Sequence, residues 1–254
     1  MADAGPPIPS GALERTELIL EALETIGPMN LTEVAARTGL PISTAHRLLE
    51  RLVRMRWLAR NDRGYELGVR LFELGSQTVR GHWFHRAALP ILRELHRRTG
   101  LVVHLGFLDG ADTVYWERIA GAVGARVPTT VGGRFPAHRS AVGKAMLSVL
   151  PSDVLDTAPF GVPGLAPGMR IDDGLRHELA TAFADRVAFD RSESISGLGC
   201  VATAVDYDVP APAAVSVCGP ASRVLSDRRL ILAVQEAAAD IADSARRLDP
   251  ALHS

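Results

Sequence analysis

A chain of 254 residues, 47% of them apolar, is long enough for one large domain or two smaller ones, which excludes a disordered or low-complexity protein. No apolar run approaches the roughly 20 residues of a membrane span, and the opening MADAGPPIPSG lacks the basic and apolar regions of a signal peptide, so it reads as a loose tail. The two cysteines, Cys200 and Cys218, are too few for a disulfide scaffold and match no metal-ligand spacing, so a reducing cytoplasm is expected. The net charge of −1 conceals an asymmetry: eight arginines against three acids between Arg37 and Arg70 give that stretch +5 and leave −6 for the rest. A basic N-terminal unit on an acidic remainder points to two parts with different partners.

From Leu13, LERTELILEALETIG repeats apolar residues at helical spacing and stops at Gly27 and Pro28. LTEVAARTG is a short second helix, with Thr32 as its expected N-cap and Gly39 as its stop. A third helix follows over 42–55. Ala45, Leu48, Leu49 and Leu52 share one of its faces, and Ser43, Arg47, Arg51 and Arg54 share another. WLARNDRGYEL then reads as two short strands around the turn NDRG. Helix, helix, turn, helix, β-ribbon is the order of a winged helix-turn-helix. A small helical bundle with a surface hairpin explains the apolar face equally well. It does not explain an opposite face of arginines and small hydroxyls with so few acids.

Docking in the major groove explains that face. A recognition helix presents its N-terminal residues to base edges. Ser43 and Thr44 are short enough for close approach, and Arg47, one turn on, is placed to fork onto guanine. Arg51 and Arg54 lie where phosphate contacts fall, and Arg60 and Arg63 at the wing reach the neighbouring backbone or minor groove. These seven are the expected DNA-binding residues.

The next stretch holds two helical patterns, one from Val69 through Leu74 and one from Leu89 through Leu95. Between them, Trp83 and Phe84 have two readings: an exposed partner surface, or packing on their own second domain. From Leu101 the period becomes strand-like. LVVHLGFL, TVYWERI and ARVPTTV are expected strands, as are the later GLGCVATAVDYD and PAAVSVCGP. PAHRSAVGKAMLSVL, DDGLRHELATAFADR and RRLILAVQEAAADIADSARRL are expected helices, and helices on a largely antiparallel sheet make an α+β domain. Val215 and Val217 point one way; Ala214, Ser216 and Cys218 point the other, and Cys200, Ala202 and Ala204 share a face. Such a face is a pocket wall or a bed for a closely packed helix.

Enzyme motifs fail on inspection. Gly143 and Lys144 lack the rest of a P-loop, HELAT at His177 lacks the second histidine of a zinc protease, and no G-x-S-x-G occurs. No trio of the eight histidines has ligand spacing. A triad of His138, Asp190 and Ser216 can be drawn only by free choice. No catalytic residue, metal or cofactor is expected.

These residues resemble the IclR-type transcriptional regulators, named for the isocitrate lyase regulator. The resemblance runs from about Leu13 to Leu248. It is carried by LTEVAARTGLPISTAHRLLERL and YELGVRLFELG, and further on by VGGRFPAHRSAVGKAML, FDRSESISGLGCVATAV and AAVSVCGP. It implies an α+β two-domain chain: a disordered tail over 1–12, a winged helix-turn-helix over 13–73, a linker helix over 74–88, and a GAF-like effector-binding and oligomerisation domain over 89–254. It also implies operator DNA, a small organic acid or aromatic effector, and homodimers that in some members pair into tetramers. The family's effector pocket maps onto Ala141, Val142, Asp190, Cys200, Ser216 and Cys218. Asp190, Cys200 and Ser216 keep the types associated with acid-binding members. Val142 and Cys218 stand where Ala and Ser are expected, which points to a larger or less polar ligand. A helix beginning near His138 would offer free N–H groups to an anion. Lys144 either adds charge there or is a surface lysine. The alternative to a ligand-responsive regulator is an enzyme or metabolite carrier whose basic N-terminus serves assembly.

Overall fold

The computed structural model describes residues 11–121, 124, 127–155, 171–207 and 211–249. Most of the expected tail, residues 1–10, lies outside the described residues; Ala12 already begins the first helix. The chain divides into two compact units, residues 1–81 and 82–254.

The first unit holds α1 (Ala12–Ile26), α2 (Leu31–Thr38), α3 (Ile42–Arg54), the ribbon β1 (Leu58–Asn61) and β2 (Gly64–Leu67), and α4 (Val69–Gly81). Ile19, Leu23, Val34, Leu49, Leu52 and Leu58 form its core. The N-cap of α2 is Asn30, not Thr32. The Asn30 side chain accepts the Glu33 N–H at 3.0 Å, and the Glu33 carboxylate accepts the Asn30 N–H at 2.7 Å. This reciprocal box satisfies two N–H groups that Thr32, already inside the helix, could not reach. Gly39 closes α2 in the left-handed region. The ribbon is tied down by Tyr65, which exchanges two backbone hydrogen bonds with Met29 at 2.8 and 3.0 Å. Gly64 makes that approach possible. Its φ is 119°, and a Cβ there would sit 2.3 Å from the Met29 carbonyl oxygen.

The second unit begins with α5 (Trp83–Thr99), then β3 (Val102–Asp109), β4 (Asp112–Ile119) and β5 (Arg134–Pro136). A 3-10 turn (Ala137–Arg139) leads into α6 (Ala141–Ser148). After α7 (Asp173–Asp185) come β6 (Ala188–Arg191), β7 (Leu198–Ala204), β8 (Ala213–Pro220), the single turn α8 (Ala221–Val224) and α9 (Arg228–Leu248). The strands form one antiparallel six-stranded sheet in the order β5-β4-β3-β8-β7-β6. The alternation read from the sequence divides its faces. Val103, Leu105, Val201, Val215 and Val217 pack with α5 and α9 into the main core. Ala202 and Ala214 lie under α6 on the other face, where small side chains permit close approach.

Two further expectations are corrected. Among the described residues ARVPTTV shows no strand: its first two residues lie outside them, and residues 127–130 are irregular. Pro128 has no N–H for a ladder, and the edge strand is β5 instead. Trp83 and Phe84 are not an exposed surface. Phe84 is fully buried and Trp83 packs against the same core. They form the first turn of α5, with Phe84 5.4 Å from the Phe107 ring and Trp83 5.6 Å from Tyr207.

Candidate functional site

The first unit presents a basic face. Ala45, Leu49 and Leu52 of α3 are buried, while Ser43, Arg47, Arg51 and Arg54 are exposed and Thr44 is half-buried. No acid pairs with Arg47, Arg51, Arg54 or Arg63 among the described residues, so their charge is free for a phosphate. Arg60 is less free: it lies 3.8 Å from Glu50 and over the Tyr65 ring. Arg63 stands in the wing turn, where its N–H is accepted by the Asn61 side chain at 2.8 Å. Arg15 of α1 and His46 line the same shallow groove as Arg47, Arg51 and Arg54. The helix-turn-helix pattern did not mark Arg15, because α1 belongs to the core by its spacing.

The second unit encloses a cavity of about 90 Å³ between the start of α6, the α6-facing side of β7 and β8, and the loop 191–197. All six residues named from the family resemblance line it: Ala141, Val142, Asp190, Cys200, Ser216 and Cys218. His104, Tyr115, Thr129, Phe135, Ser140 and Ser194 line it as well. Only His104 and Tyr115 had a readable signal, since both sit in strands whose period places one face inward. A groove of about 770 Å³ beside Phe183 and Tyr207 is larger, but none of the six residues named from the family resemblance lines it.

The helix at the cavity wall starts at Ala141, not near His138. Ser140 caps it and accepts the Gly143 N–H at 3.0 Å, so one of the expected free N–H groups is already used. Gly143 is required there, because a Cβ would meet the Ala137 carbonyl oxygen at 2.1 Å. Ser216 Oγ lies 3.4 Å from His104 Nδ1, and His104 Nε2 lies 2.7 Å from Thr129 Oγ1. Burial, aided by the charge of Arg118, lowers the His104 pKa to about 3, so at neutral pH the ring carries one N–H and no charge. Arg118 fixes Thr129 in turn, donating to its hydroxyl at 3.2 Å and to the Gly124 carbonyl at 2.7 Å. Burial holds the Tyr115 phenol above its usual range, and its hydroxyl makes no hydrogen bond among the described residues.

Asp190 and Lys144 are engaged elsewhere. One Asp190 oxygen accepts the Glu193 N–H at 2.8 Å and the Ser194 N–H at 3.3 Å; the other accepts the Ser194 hydroxyl. The carboxylate therefore holds the loop in shape. Lys144 neither sits on the surface nor offers spare charge. It is fully buried, and its Nζ donates to Glu178 at 2.7 Å and to both Glu193 oxygens at 2.7 and 2.8 Å. Every residue of α6 from Ala141 to Leu147 is buried between the sheet and α7, so a lysine there has no route to water. Only carboxylates from both neighbours can satisfy it.

Among the described residues, no cluster of histidine, cysteine and acidic side chains could hold a metal, and no helix is long and apolar enough to cross a membrane. One unit thus presents a basic face, and the other encloses a cavity lined by both polar and apolar side chains.

Comparison with known proteins agrees with both halves. Residues 12–62 match the IclR helix-turn-helix domain, and residues 77–243 match the C-terminal domain of the bacterial transcriptional regulator IclR. The chain is 32% identical over 220 residues to the HTH-type transcriptional regulator XynR of Escherichia coli, covering 84% of this chain and 87% of XynR. It is 30% identical over 224 residues to the HTH-type transcriptional repressor AllR of Klebsiella pneumoniae, covering 85% and 82%. A crystal structure of an IclR homologue from Microbacterium hydrocarbonoxydans, complexed with 4-hydroxybenzoate, aligns with TM-score 0.78 and 25% identity, covering 93% of this chain and all of that one. The two matched domains, in this order over nearly the whole length, place the chain in the IclR family of DNA-binding transcriptional regulators.

Proposed function

We propose that a small organic acid bound in the α6–β7–β8 cavity sets the affinity of this regulator for its operator. One observation carries the reading: six residues scattered over three separate sequence blocks converge on one enclosed space. The ligand-facing groups are Ser216, Cys200 and Cys218 on the sheet and the backbone at Ala141 and Val142, with Asp190 acting through the loop it holds. The ligand's polar end meets neutral donors and the α6 N-terminus, since Lys144 is already neutralised. At about 90 Å³, the space is smaller than the roughly 150 Å³ that holds benzene in an engineered cavity. A compact acid fits as the walls stand; an aromatic acid, such as the 4-hydroxybenzoate of the Microbacterium homologue, requires loop 191–197 to yield. A thermal-shift series of acetate, butyrate, benzoate and 4-hydroxybenzoate tests this, because ligand binding raises the melting temperature. No response across the series would contradict the assignment.

On the DNA side, Arg47 is the proposed base contact. Ser43 and Thr44 admit the helix to the groove, and Arg51, Arg54, Arg60 and Arg63 hold phosphates. Arg47→Ala is expected to weaken binding to the protein's own promoter DNA by about 1–3 kcal/mol and to relax base preference. Arg63→Ala is expected to weaken all DNA alike and to reduce the dependence of affinity on salt. Anisotropy titrations at two salt concentrations separate the two; unchanged promoter affinity in Arg47→Ala would misplace the recognition helix.

Reading two half-sites requires a two-fold dimer. With Trp83 and Phe84 in the core, the surface proposed for pairing is α4, where Val69 and Phe72 are exposed. A strictly monomeric mass at micromolar concentration would contradict this. A regulator of transcription works where the DNA is, so the cytoplasm is the proposed compartment.

A further inference from the structure

The sequence holds two cysteines, and the fold sets them directly opposite each other. Cys200 on β7 pairs with Cys218 on β8 in the antiparallel register, so both side chains leave the sheet on the same face. Opposed residues on antiparallel strands have Cα atoms about 4.5–5.5 Å apart. Disulfides take Cα separations of about 4.4–6.8 Å, a range that covers this spacing; bringing the Cβ atoms to disulfide distance needs side-chain rotation and a small approach of the two strands. The facing Cys218 thiol and burial hold the Cys200 thiol well above its usual range. Both are free cysteines. Cys218 is buried and Cys200 half-buried, and both line the cavity, which has room for a molecule the size of hydrogen peroxide.

We propose that Cys200 and Cys218 form a redox dithiol site that hydrogen peroxide closes into a disulfide across β7 and β8. The first sulfur attacks one peroxide oxygen, the O–O bond breaks, and the displaced hydroxide leaves as water with the thiol proton. This leaves a sulfenic acid. The second sulfur attacks the sulfenic sulfur and expels its hydroxyl, which takes the second thiol proton and leaves as water. The pair gives up two protons and two electrons, and one peroxide becomes two waters. Disulfide closure of this kind falls in the range of seconds to hours. Closure removes both S–H donors from the cavity wall, giving the cavity a reduced and an oxidised form.

The test uses the reduced full-length protein in excess hydrogen peroxide, quenched with catalase and then denatured in N-ethylmaleimide for intact-mass measurement. Its readout is independent of any ligand or DNA. The expected product is a monomer lighter by two hydrogen atoms that takes up no maleimide, and that recovers two maleimide-reactive thiols after dithiothreitol. With two cysteines in the sequence, that mass has a single intrachain explanation. Cys200→Ser and Cys218→Ser should each lose this product and instead yield a sulfenic acid trapped by dimedone. Retention of both thiols by the wild type would overturn the proposal. So would sulfinic acid without cross-link, or a disulfide between two chains.

Discussion

Phe84→Ala should lower the stability of the second unit by about 3–5 kcal/mol, the usual cost of emptying a fully buried phenylalanine site. In a unit of this size that is a fall in melting temperature of roughly 6–20 °C. The side chain is fully buried, packs edge-on to Phe107 and sits where α5 meets the sheet, so no neighbour can simply close the gap. Differential scanning calorimetry with light scattering separates this from a subunit-contact role. A variant that kept its melting temperature but lost oligomer mass would return Phe84 to an interface.

The second large effect is expected at Lys144. Glu178→Gln with Glu193→Gln leaves a buried ammonium without counter-charge, a change that costs about 3–5 kcal/mol. Lys144→Met should cost far less, because the acids it abandons are partly exposed and can hydrate, and methionine fills the same channel. The order of the two losses, read from urea unfolding, is the prediction; equal losses would mean the cation is better hydrated than its position allows. A pH dependence accompanies it. Burial raises the Glu193 carboxyl, but the Lys144 hydrogen bond, the Arg191 N–H and the charges of Lys144 and Arg191 together outweigh it, and the net shift is downward. A carboxyl lowered in the folded state adds stability above its unfolded pKa and loses it as pH falls through the folded value. Wild type should therefore weaken on acidification below the ordinary carboxylate range, and Glu193→Gln should lack that part of the loss.

What could be read from the sequence follows what period and sign can encode. The arginine face of α3, the valine and small-residue faces of β7 and β8, and the element order of the first unit follow from spacing alone. Lys144 was unreadable because its meaning depends on Glu178 and Glu193, 34 and 49 residues away in sequence. Thr129 and Ser194 reach the cavity from irregular segments, which carry no period. The cap of α2 was misplaced by two residues because Thr32 and Asn30 both suit the position, and only the reach to Glu33 decides between them. Trp83 and Phe84 were undecidable from pattern, since an aromatic pair before an amphipathic run serves equally as a contact or as an anchor. The opposition of Cys200 and Cys218 needed the β7–β8 register, which depends on the connection between those strands.

The most direct test of ligand control is promoter-DNA affinity, measured with and without the carboxylate that gives the largest thermal shift, in wild type, Ser216→Val and Ala141→Phe. A ligand regulates only through a difference in affinity between DNA-competent and DNA-incompetent states, and coupling of about 1–3 kcal/mol is ordinary. Wild-type affinity should change by roughly 5- to 150-fold. Ser216→Val keeps the volume and removes the hydroxyl, and Ala141→Phe fills the space beside the α6 N-terminus. Each variant, shown folded by circular dichroism, should bind promoter DNA as the wild type does and ignore the acid. If both variants respond as the wild type does, the controlling ligand binds elsewhere and the cavity is not the switch.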